Sequence, residues 1–218
     1  MSLFRLDASI RTEESASRAI ADLVEASWHE HRPNDAVTTR HIGLEPIPAS
    51  AWANAVSAGR IPAEQRSPDQ VAATRLAAAL TDELVGADAL LLAVPLYNFG
   101  VSQHFKAWVD LVLTDPRLSP GAAPILAGKP AVLATVRGGS YSPGTPRHGW
   151  DHATGWTRRI LADVWQLDLE VVEREFTLAG VNPALDEFVE LADRLRIEAE
   201  ANARDTGRRL AQRQPAAA

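Results

Sequence analysis

The 218-residue chain is predicted to adopt an α/β fold, a doubly wound parallel sheet with helices on both faces. Two observations lead to this prediction. Short, unbroken apolar runs typical of buried strands alternate along the chain with segments of helical periodicity. The clearest apolar run, residues 89–94, ends at Pro95, and a helical pattern begins shortly after it. In an open sheet of this kind, ligands bind at the loops that follow the carboxyl ends of the strands.

The first half of the chain alternates between strand and helix patterns. Ile20, Val24 and Trp28 recur at helical spacing and predict an amphipathic helix, whereas the alternation after Val37 favours an edge strand. The next long helix should stop at Gly86, because glycine is common at helix ends. The predicted elements in order are a strand at 3–8, a helix at 15–31, a strand at 37–42, a surface excursion at 43–68 with a small helix around Trp52, a helix at 69–84 and a buried strand at 89–94.

The second half continues the alternation. Phe105 and Trp108 belong to a helical pattern that should end before Pro116. The predicted elements are a helix at 102–113, a strand at 131–136, a helix at 150–164, a strand at 169–176 and an amphipathic helix at about 185–200. Five strands alternating with helices favour the flavodoxin-like order 2-1-3-4-5. We expect one flavodoxin-like domain over residues 1–200, followed by a polar, frayed extension at 201–218.

Composition narrows the classes of function. The chain has no cysteine, which excludes disulfides, thiolate metal sites, Fe–S clusters and cysteine nucleophiles. A net charge of −6 argues against a general nucleic-acid-binding face. Asp7 interrupts the amino terminus too early for a signal peptide, and no apolar run approaches the ~20 residues that span a bilayer. We therefore expect a cytoplasmic protein with no nucleic-acid or membrane partner.

The loop after the first strand carries hydroxyl groups at a predicted helix start. Ser9, Arg11, Ser15 and Ser17 lie there, and the free N–H groups and dipole of the helix favour an anion such as a phosphate monoester. The alternative is that Ser15 is only an N-cap. Because the chain has neither a Walker lysine nor a G-x-G-x-x-G motif, a nucleoside triphosphate or a Rossmann dinucleotide site is not expected.

The loops after the third and fourth strands suit a planar ligand. Tyr97 and Phe99 offer aromatic faces and Asn98 a hydrogen bond, although a tight turn with a core aromatic would explain the same residues. Gly138 and Gly139 let the backbone approach a ligand closely because neither carries a Cβ, and the alternative is an ordinary glycine turn. In the predicted strand order, these two loops and the serine loop meet at the switch point of the sheet.

Taken together, three motifs resemble one known family. They are Ser9…Ser15-x-Ser17, Pro95-Leu96-Tyr97-Asn98-Phe99…Lys106-x-x-x-Asp110 and Arg137-Gly138-Gly139. In order and spacing they resemble the FMN-dependent NADH azoreductases of the NAD(P)H quinone oxidoreductase superfamily. The resemblance covers residues 1–200 and implies a flavodoxin-like homodimer with one FMN per subunit, bound near the dimer interface.

The resemblance also implies where each part of FMN would bind. The phosphate would lie at Ser9 and residues 15–17, the isoalloxazine at residues 96–99, and its polar edge at residues 136–139, with Tyr141 close by. The full set of cofactor-binding candidates is Ser9, Arg11, Ser15, Ala16, Ser17, Pro95, Leu96, Tyr97, Asn98, Phe99, Val136, Arg137, Gly138, Gly139 and Tyr141.

The implied activity is a two-electron, ping-pong hydride transfer from NADH or NADPH, by way of FMN, to a small aromatic acceptor such as a quinone or an azo compound. Arg137 and Tyr141 are candidates for stabilising charge on the reduced flavin or the acceptor, with a structural role as the alternative for each. The substrate-facing candidates are Trp150, His152 and Trp156. His148 stands four residues before His152, but no third ligand is evident and no metal is expected.

The sequence also departs from the family pattern. Leu96 replaces a usual methionine, Val136 a frequent serine and Tyr141 a common histidine, and residues 111–118 lack the A-G-x-T-F element that shapes the substrate cavity. The resemblance therefore bears on FMN binding more than on substrate class. Three alternatives stay open: a specialised biosynthetic or flavin-supplying reductase on the same scaffold, a flavin-binding redox sensor without turnover, and a cofactor-free flavodoxin-like module.

Overall fold

The computed structural model describes residues 1–11 and 13–213 and contains a parallel sheet with helices on both faces. The strands are β1 (Leu3–Asp7), β2 (Val37–His41), β3 (Ala89–Tyr97), β4 (Gly100–Val101), β5 (Pro130–Val136) and β6 (Asp168–Arg174). The parallel strands lie in the order β2-β1-β3-β5-β6, and the short β4 pairs antiparallel with the end of β3. The predicted order 2-1-3-4-5 of the main strands is confirmed, and β4 is an addition to it.

Alternation along the strands separates two apolar layers. Leu90 and Leu92 of β3 face one layer, and Leu91 and Ala93 face the other. The helices are α1 (Ala16–His31), α2 (Ala51–Ala58), α3 (Pro68–Gly86), α4 (Gln103–Val112), α5 (Thr154–Arg158) and α6 (Val189–Gln212). Helices α2, α3 and α4 cover the first layer, while α1 and α6 cover the second. Within the described residues, none of these helices is both long and apolar enough to cross a bilayer.

The predicted helix at 150–164 is shorter and less regular than expected. It begins at Thr154 as α5 and continues as a π-helical turn at Arg159–Val164. His148 and His152 both precede the helix, so they do not share one helical face. In the part of the chain that the structure describes, no group of three or more His, Cys, Asp or Glu side chains is arranged to hold a metal.

The prediction of a frayed extension from residue 201 is wrong for the described residues. After a 3-10 turn at Pro183–Phe188, α6 runs without a break to Gln212 and packs along α1. The contact uses small residues at every fourth position, and a Cβ on Gly207 would lie 2.3 Å from the carbonyl oxygen of Val24. A hydropathy pattern underestimates the burial of such a helix, because its buried face consists of small residues instead of large apolar ones. The last five residues of the predicted extension, 214–218, lie outside the described residues.

The predicted excursion at 43–68 holds α2, as expected, and a short 3-10 turn at Ala63–Gln65. Ala51, Ala55 and Ala58 are buried against the neighbouring helices, whereas Trp52 is 52% exposed. The small residues therefore provide the contact, and the aromatic ring faces outward.

Candidate functional site

The carboxyl ends of β1, β3, β5 and β6 open into one cleft of about 700 Å³. Its position agrees with the rule that ligands bind at the switch point of an open α/β sheet. The cleft is lined by Ser9, Arg11, Glu14, Ser15, Ala16, Ser17, Arg18, Ala19, Asp22, Pro95, Leu96, Tyr97, Val136, Arg174, Thr177, Leu178 and Val181. The structure thus brings together the predicted serine loop, the end of the 89–94 strand and Val136.

The serine loop forms the polar end of the cleft. The Oγ atoms of Ser15 and Ser17 lie 3.3 Å apart, and Ser15 also caps α1 by accepting the N–H of Arg18. Ser9 Oγ accepts the N–H of Arg11 at 3.2 Å and lies 3.1 Å from the hydroxyl of Tyr97. The N-cap role is therefore present, and the three hydroxyls still share the cleft. No acidic residue occupies the first turn of α1, which leaves its positive end available to an anion.

Gly43 supports this loop from below and was missed by the sequence reasoning. A Cβ at Gly43 would lie 2.0 Å from the carbonyl oxygen of Ser9. Only glycine therefore allows the segment after β2 to pass behind Ser9. The available indication was a glycine directly after a predicted strand, but its partner lies more than thirty residues away in the chain.

The predicted loop at 95–100 is a hairpin turn. Strand β3 continues to Tyr97, which pairs with Gly100, so that Asn98 and Phe99 form a two-residue connection. Both have positive φ, 48° and 65°, as in a type I′ turn. Asn98 and Phe99 do not line the 700 Å³ cleft, whereas Leu96 and Tyr97 do. The backbone therefore forms the tight turn that was the alternative to a ligand-binding loop. The ring of Phe99 points outward, and the residue is 38% exposed.

Arg137 was predicted to bind cofactor or to stabilise charge, but its guanidinium points into a group of carboxylates. Its Nε donates to Asp151 Oδ2 at 2.8 Å, and its terminal nitrogens reach Glu173 at 3.1 and 3.2 Å. Burial opposes the charged form, but the hydrogen bonds and charges of Glu173 and Asp151 outweigh it and raise the pKa of Arg137. The side chain does not line the cleft, so it acts as an anchor for the loop that follows.

Gly138 and Gly139 approach another loop of the chain. The carbonyl oxygen of Gly138 accepts the N–H of Leu178 at 3.1 Å, and a Cβ on Gly138 would lie 2.7 Å from Leu178 Cδ1. Both glycines line a separate apolar cavity of about 390 Å³ with Phe176 and Phe188. The close backbone approach predicted for these glycines is present, but its partner is the 176–178 segment.

Tyr141 and the substrate candidates Trp150, His152 and Trp156 fall into two places. The rings of Tyr141 and Trp150 contact Phe99 edge to face, with centroids at 6.3 and 5.4 Å. His152 is exposed, and its backbone N–H donates to the backbone carbonyl oxygen of Phe99 at 2.9 Å. Trp156 instead packs on α4, 6.2 Å from the ring of Phe105. Phe99, Tyr141 and Trp150 are called the aromatic cluster below.

The segment that departs from the family pattern is tied to α3. Asp115 is buried and pairs with Arg117 at 2.8 Å, and Arg117 also reaches Asp82 at 2.6 Å. The hydrogen bond from Arg117 is the main reason why the pKa of Asp115 is lowered. Residues 111–124 do not line the 700 Å³ cleft.

The far wall of the cleft comes from residues that the sequence reasoning did not select. Arg174 ends β6, and Thr177, Leu178 and Val181 lie in the segment that follows it. The available indication was a cationic residue at the carboxyl end of a predicted strand. The sequence pattern placed Arg174 in that strand but gave no sign that its side chain lines the cleft.

Comparison with known proteins gives concordant results. A family model described as "Flavodoxin-like fold" matches residues 1–192. A relative from Frankia casuarinae, named FMN-dependent NADH:quinone oxidoreductase, is 42% identical over 204 residues, which cover 93% of this chain and 96% of the relative. A relative of the same name from Streptomyces coelicolor is 36% identical over 215 residues, covering 97% and 96% of the two chains.

The fold likeness extends to solved structures. An FMN-dependent NADH-azoreductase from Bacillus anthracis in complex with FMN has a TM-score of 0.73 at 13% identity, covering 95% of this chain and all of that one. At that identity the likeness concerns the fold. The family match and the relatives above 30% identity confirm the resemblance of the three motifs, and the chain therefore belongs to the flavodoxin-like fold family in which its relatives are named FMN-dependent NADH:quinone oxidoreductases.

Proposed function

We propose that this protein is an FMN-dependent oxidoreductase that takes hydride from NADH and delivers two electrons to a quinone or an azo compound. The observation that carries the proposal is the 700 Å³ cleft, in which Ser9, Ser15 and Ser17 share the polar end with the start of α1. The names of the relatives agree with it.

The residues of the cleft fit FMN in size and chemistry. Its volume of about 700 Å³ lies within the ~300–1,000 Å³ of most cofactor pockets. Hydroxyl groups and free N–H groups at one end suit a phosphate monoester, because both donate hydrogen bonds to its oxygens. Pro95, Leu96 and Val136 provide an apolar surface at the sheet edge, which suits a fused aromatic ring.

When bound, FMN would supply the hydride chemistry. The apolar residues at the sheet edge would exclude water from one face of the ring. The serine loop would hold the phosphate. The aromatic cluster stands beside the turn that follows β3 and offers flat apolar faces to an aromatic acceptor. Arg137 is neutralised by Asp151 and Glu173, so we assign it the positioning of this cluster.

We include the assembly and the cellular location in the same proposal. The family resemblance supports a homodimer with the sites near the interface, and exposed apolar side chains on the aromatic cluster are compatible with partner contact. NADH is a metabolite of the cytoplasm, where we place the protein. The small aromatic acceptor is the remaining partner of the reaction.

The test is reconstitution followed by anaerobic reduction. Purified protein is mixed with FMN, and we expect bound flavin absorbance, bleaching on addition of NADH, and recovery of the absorbance with menadione or an azo dye. Parallel titration with NADPH ranks the two donors. Protein that binds FMN but is not bleached by either nucleotide would support a redox sensor, and protein that binds no FMN would contradict the proposal.

A further inference from the structure

Three arginines line the cleft, and two of them already have partners. Arg11 donates to the carbonyl oxygen of Glu14 at 3.5 Å, and Arg18 donates to the carbonyl oxygen of Arg11. Arg11 is exposed and Arg18 is half-buried. Their guanidinium groups therefore hydrogen-bond to the backbone of the loop.

The third, Arg174, has no partner among residues 1–11 and 13–213. Its Nε is shielded from solvent without a hydrogen bond, and the side chain forms no ion pair in this part of the protein. Burial, followed by the charge of Arg196, lowers its pKa, while Glu200 and Asp193 oppose this effect. A shielded Nε–H group without an acceptor is costly, and an anion would remove that cost.

The carboxylate of the cleft that lies on α1 does not meet this need. Asp22 is held by Arg5, with 2.6 Å between Arg5 Nη1 and Asp22 Oδ1. The serine hydroxyls and the N–H groups at the start of α1 are neutral donors, and the two arginines of the loop contact backbone carbonyl oxygens. A phosphate monoester carries a charge of about −1.5 to −2 near neutral pH, and a helix dipole compensates only roughly half a charge. Glu14 also lines the cleft, and of the three arginines of its lining Arg174 is the one with a shielded donor that has no hydrogen bond among the described residues.

We propose that Arg174 binds the FMN phosphate and adds a charged donor to the neutral hydroxyl and N–H donors of the serine loop. The inference rests on the proposed function, since it concerns the same cofactor. It adds to the serine loop a residue from the opposite edge of the sheet, so that the phosphate is held between α1 and the end of β6. Arg174 then distinguishes FMN from flavins without a phosphate.

The experiment compares FMN with riboflavin, which lacks the phosphate. Dissociation constants are measured by quenching of flavin fluorescence for the full chain and for its Arg174→Met and Arg174→Lys variants. A charged hydrogen bond is worth ~1.5–3 kcal/mol, so Arg174→Met should raise the Kd for FMN about ten- to hundredfold. The Kd for riboflavin should stay within about twofold, and Arg174→Lys should fall between the wild type and Arg174→Met, because lysine keeps the charge.

Arg159→Met is the matched control, because Arg159 is 72% exposed, pairs with Asp163 and lies outside the cleft. It should leave both dissociation constants unchanged. Equal weakening of FMN and riboflavin by Arg174→Met, or no weakening of either, would overturn the inference while FMN binding by the wild type would stand. A wild-type protein that binds neither flavin would instead overturn the proposed function, and this inference with it.

Discussion

Arg137 Nε and Asp151 Oδ2 lie 2.8 Å apart and join the end of β5 to the start of α5. The other oxygen of Asp151 accepts the N–H groups of Ala153 and Thr154 at 2.9 and 2.8 Å. One carboxylate therefore starts α5 and fixes the loop that carries Tyr141 and Trp150. The charge of Arg137 is used to hold the aromatic cluster in place.

Asp151→Ala should release this loop. Breaking a buried ion pair by removing one partner costs about 3–5 kcal/mol, and the remaining contact of Arg137 with Glu173 should reduce the loss to the low end. Hydrogen exchange at residues 138–156 should accelerate, and urea unfolding should show the lower stability. Asp163→Ala removes the exposed partner of Arg159 and should change stability by less than about 1 kcal/mol. Equal effects of the two variants would contradict the positioning role.

The same pair predicts a dependence of stability on pH. Burial disfavours the charged Asp151, but the N–H and hydroxyl of Thr154, the N–H of Ala153 and the charge of Arg137 together lower its pKa. A lowered carboxyl pKa adds stability that is complete above the unfolded-state pKa of about 3.9 and is lost as the pH falls through the folded-state pKa. Asp151→Asn should therefore weaken the pH dependence of the free energy of unfolding, measured in urea, below about pH 4. Parallel curves for the wild type and the variant would contradict this assignment.

Gly43→Ala should disturb the serine loop without touching the cleft directly. The new Cβ would fall 2.0 Å from the Ser9 carbonyl, so the backbone must move. We expect a loss of about 1–3 kcal/mol in unfolding free energy, as for other overpacked sites, together with weaker FMN binding. Gly86→Ala is the control, because open space surrounds Gly86 at the end of α3. If both variants bind FMN like the wild type, Gly43 does not support the loop.

Gly207→Ala tests whether α6 belongs to the core. Its Cβ would lie 2.3 Å from the Val24 carbonyl oxygen and 2.9 Å from Ser27 Cβ, which should separate α6 from α1. Thermal unfolding should show a loss of about 1–3 kcal/mol, even though alanine favours a helix by about 1 kcal/mol. Gly155→Ala in α5, which has open space around it, should be neutral or stabilising. An unchanged melting temperature for Gly207→Ala would instead support the frayed extension that the sequence predicts.

Phe99 occupies a left-handed backbone position that favours glycine. Phe99→Gly and Phe99→Ala both remove the ring from the aromatic cluster, so their difference reports the backbone alone. With φ at 65°, the glycine variant should be more stable than the alanine variant by about 1 kcal/mol in urea unfolding. The opposite ranking would show that the turn relaxes when the ring is removed.

The sequence by itself determined the order of the main strands and the edge of the sheet where the cleft lies. Buried strands and amphipathic helices leave local patterns, and the loops at residues 9–17 and 95–99 follow from them. The motif resemblance also identified the family, because its residues lie within short stretches of chain.

Only the tertiary structure decided which side chains meet. Arg137 pairs with Asp151, Gly43 lies behind Ser9, and Arg174 lines the cleft from the end of the edge strand β6. The small-residue face of α6 likewise became visible only against α1. Each of these contacts joins distant parts of the chain, and periodicity reports which residues are buried but not their partners.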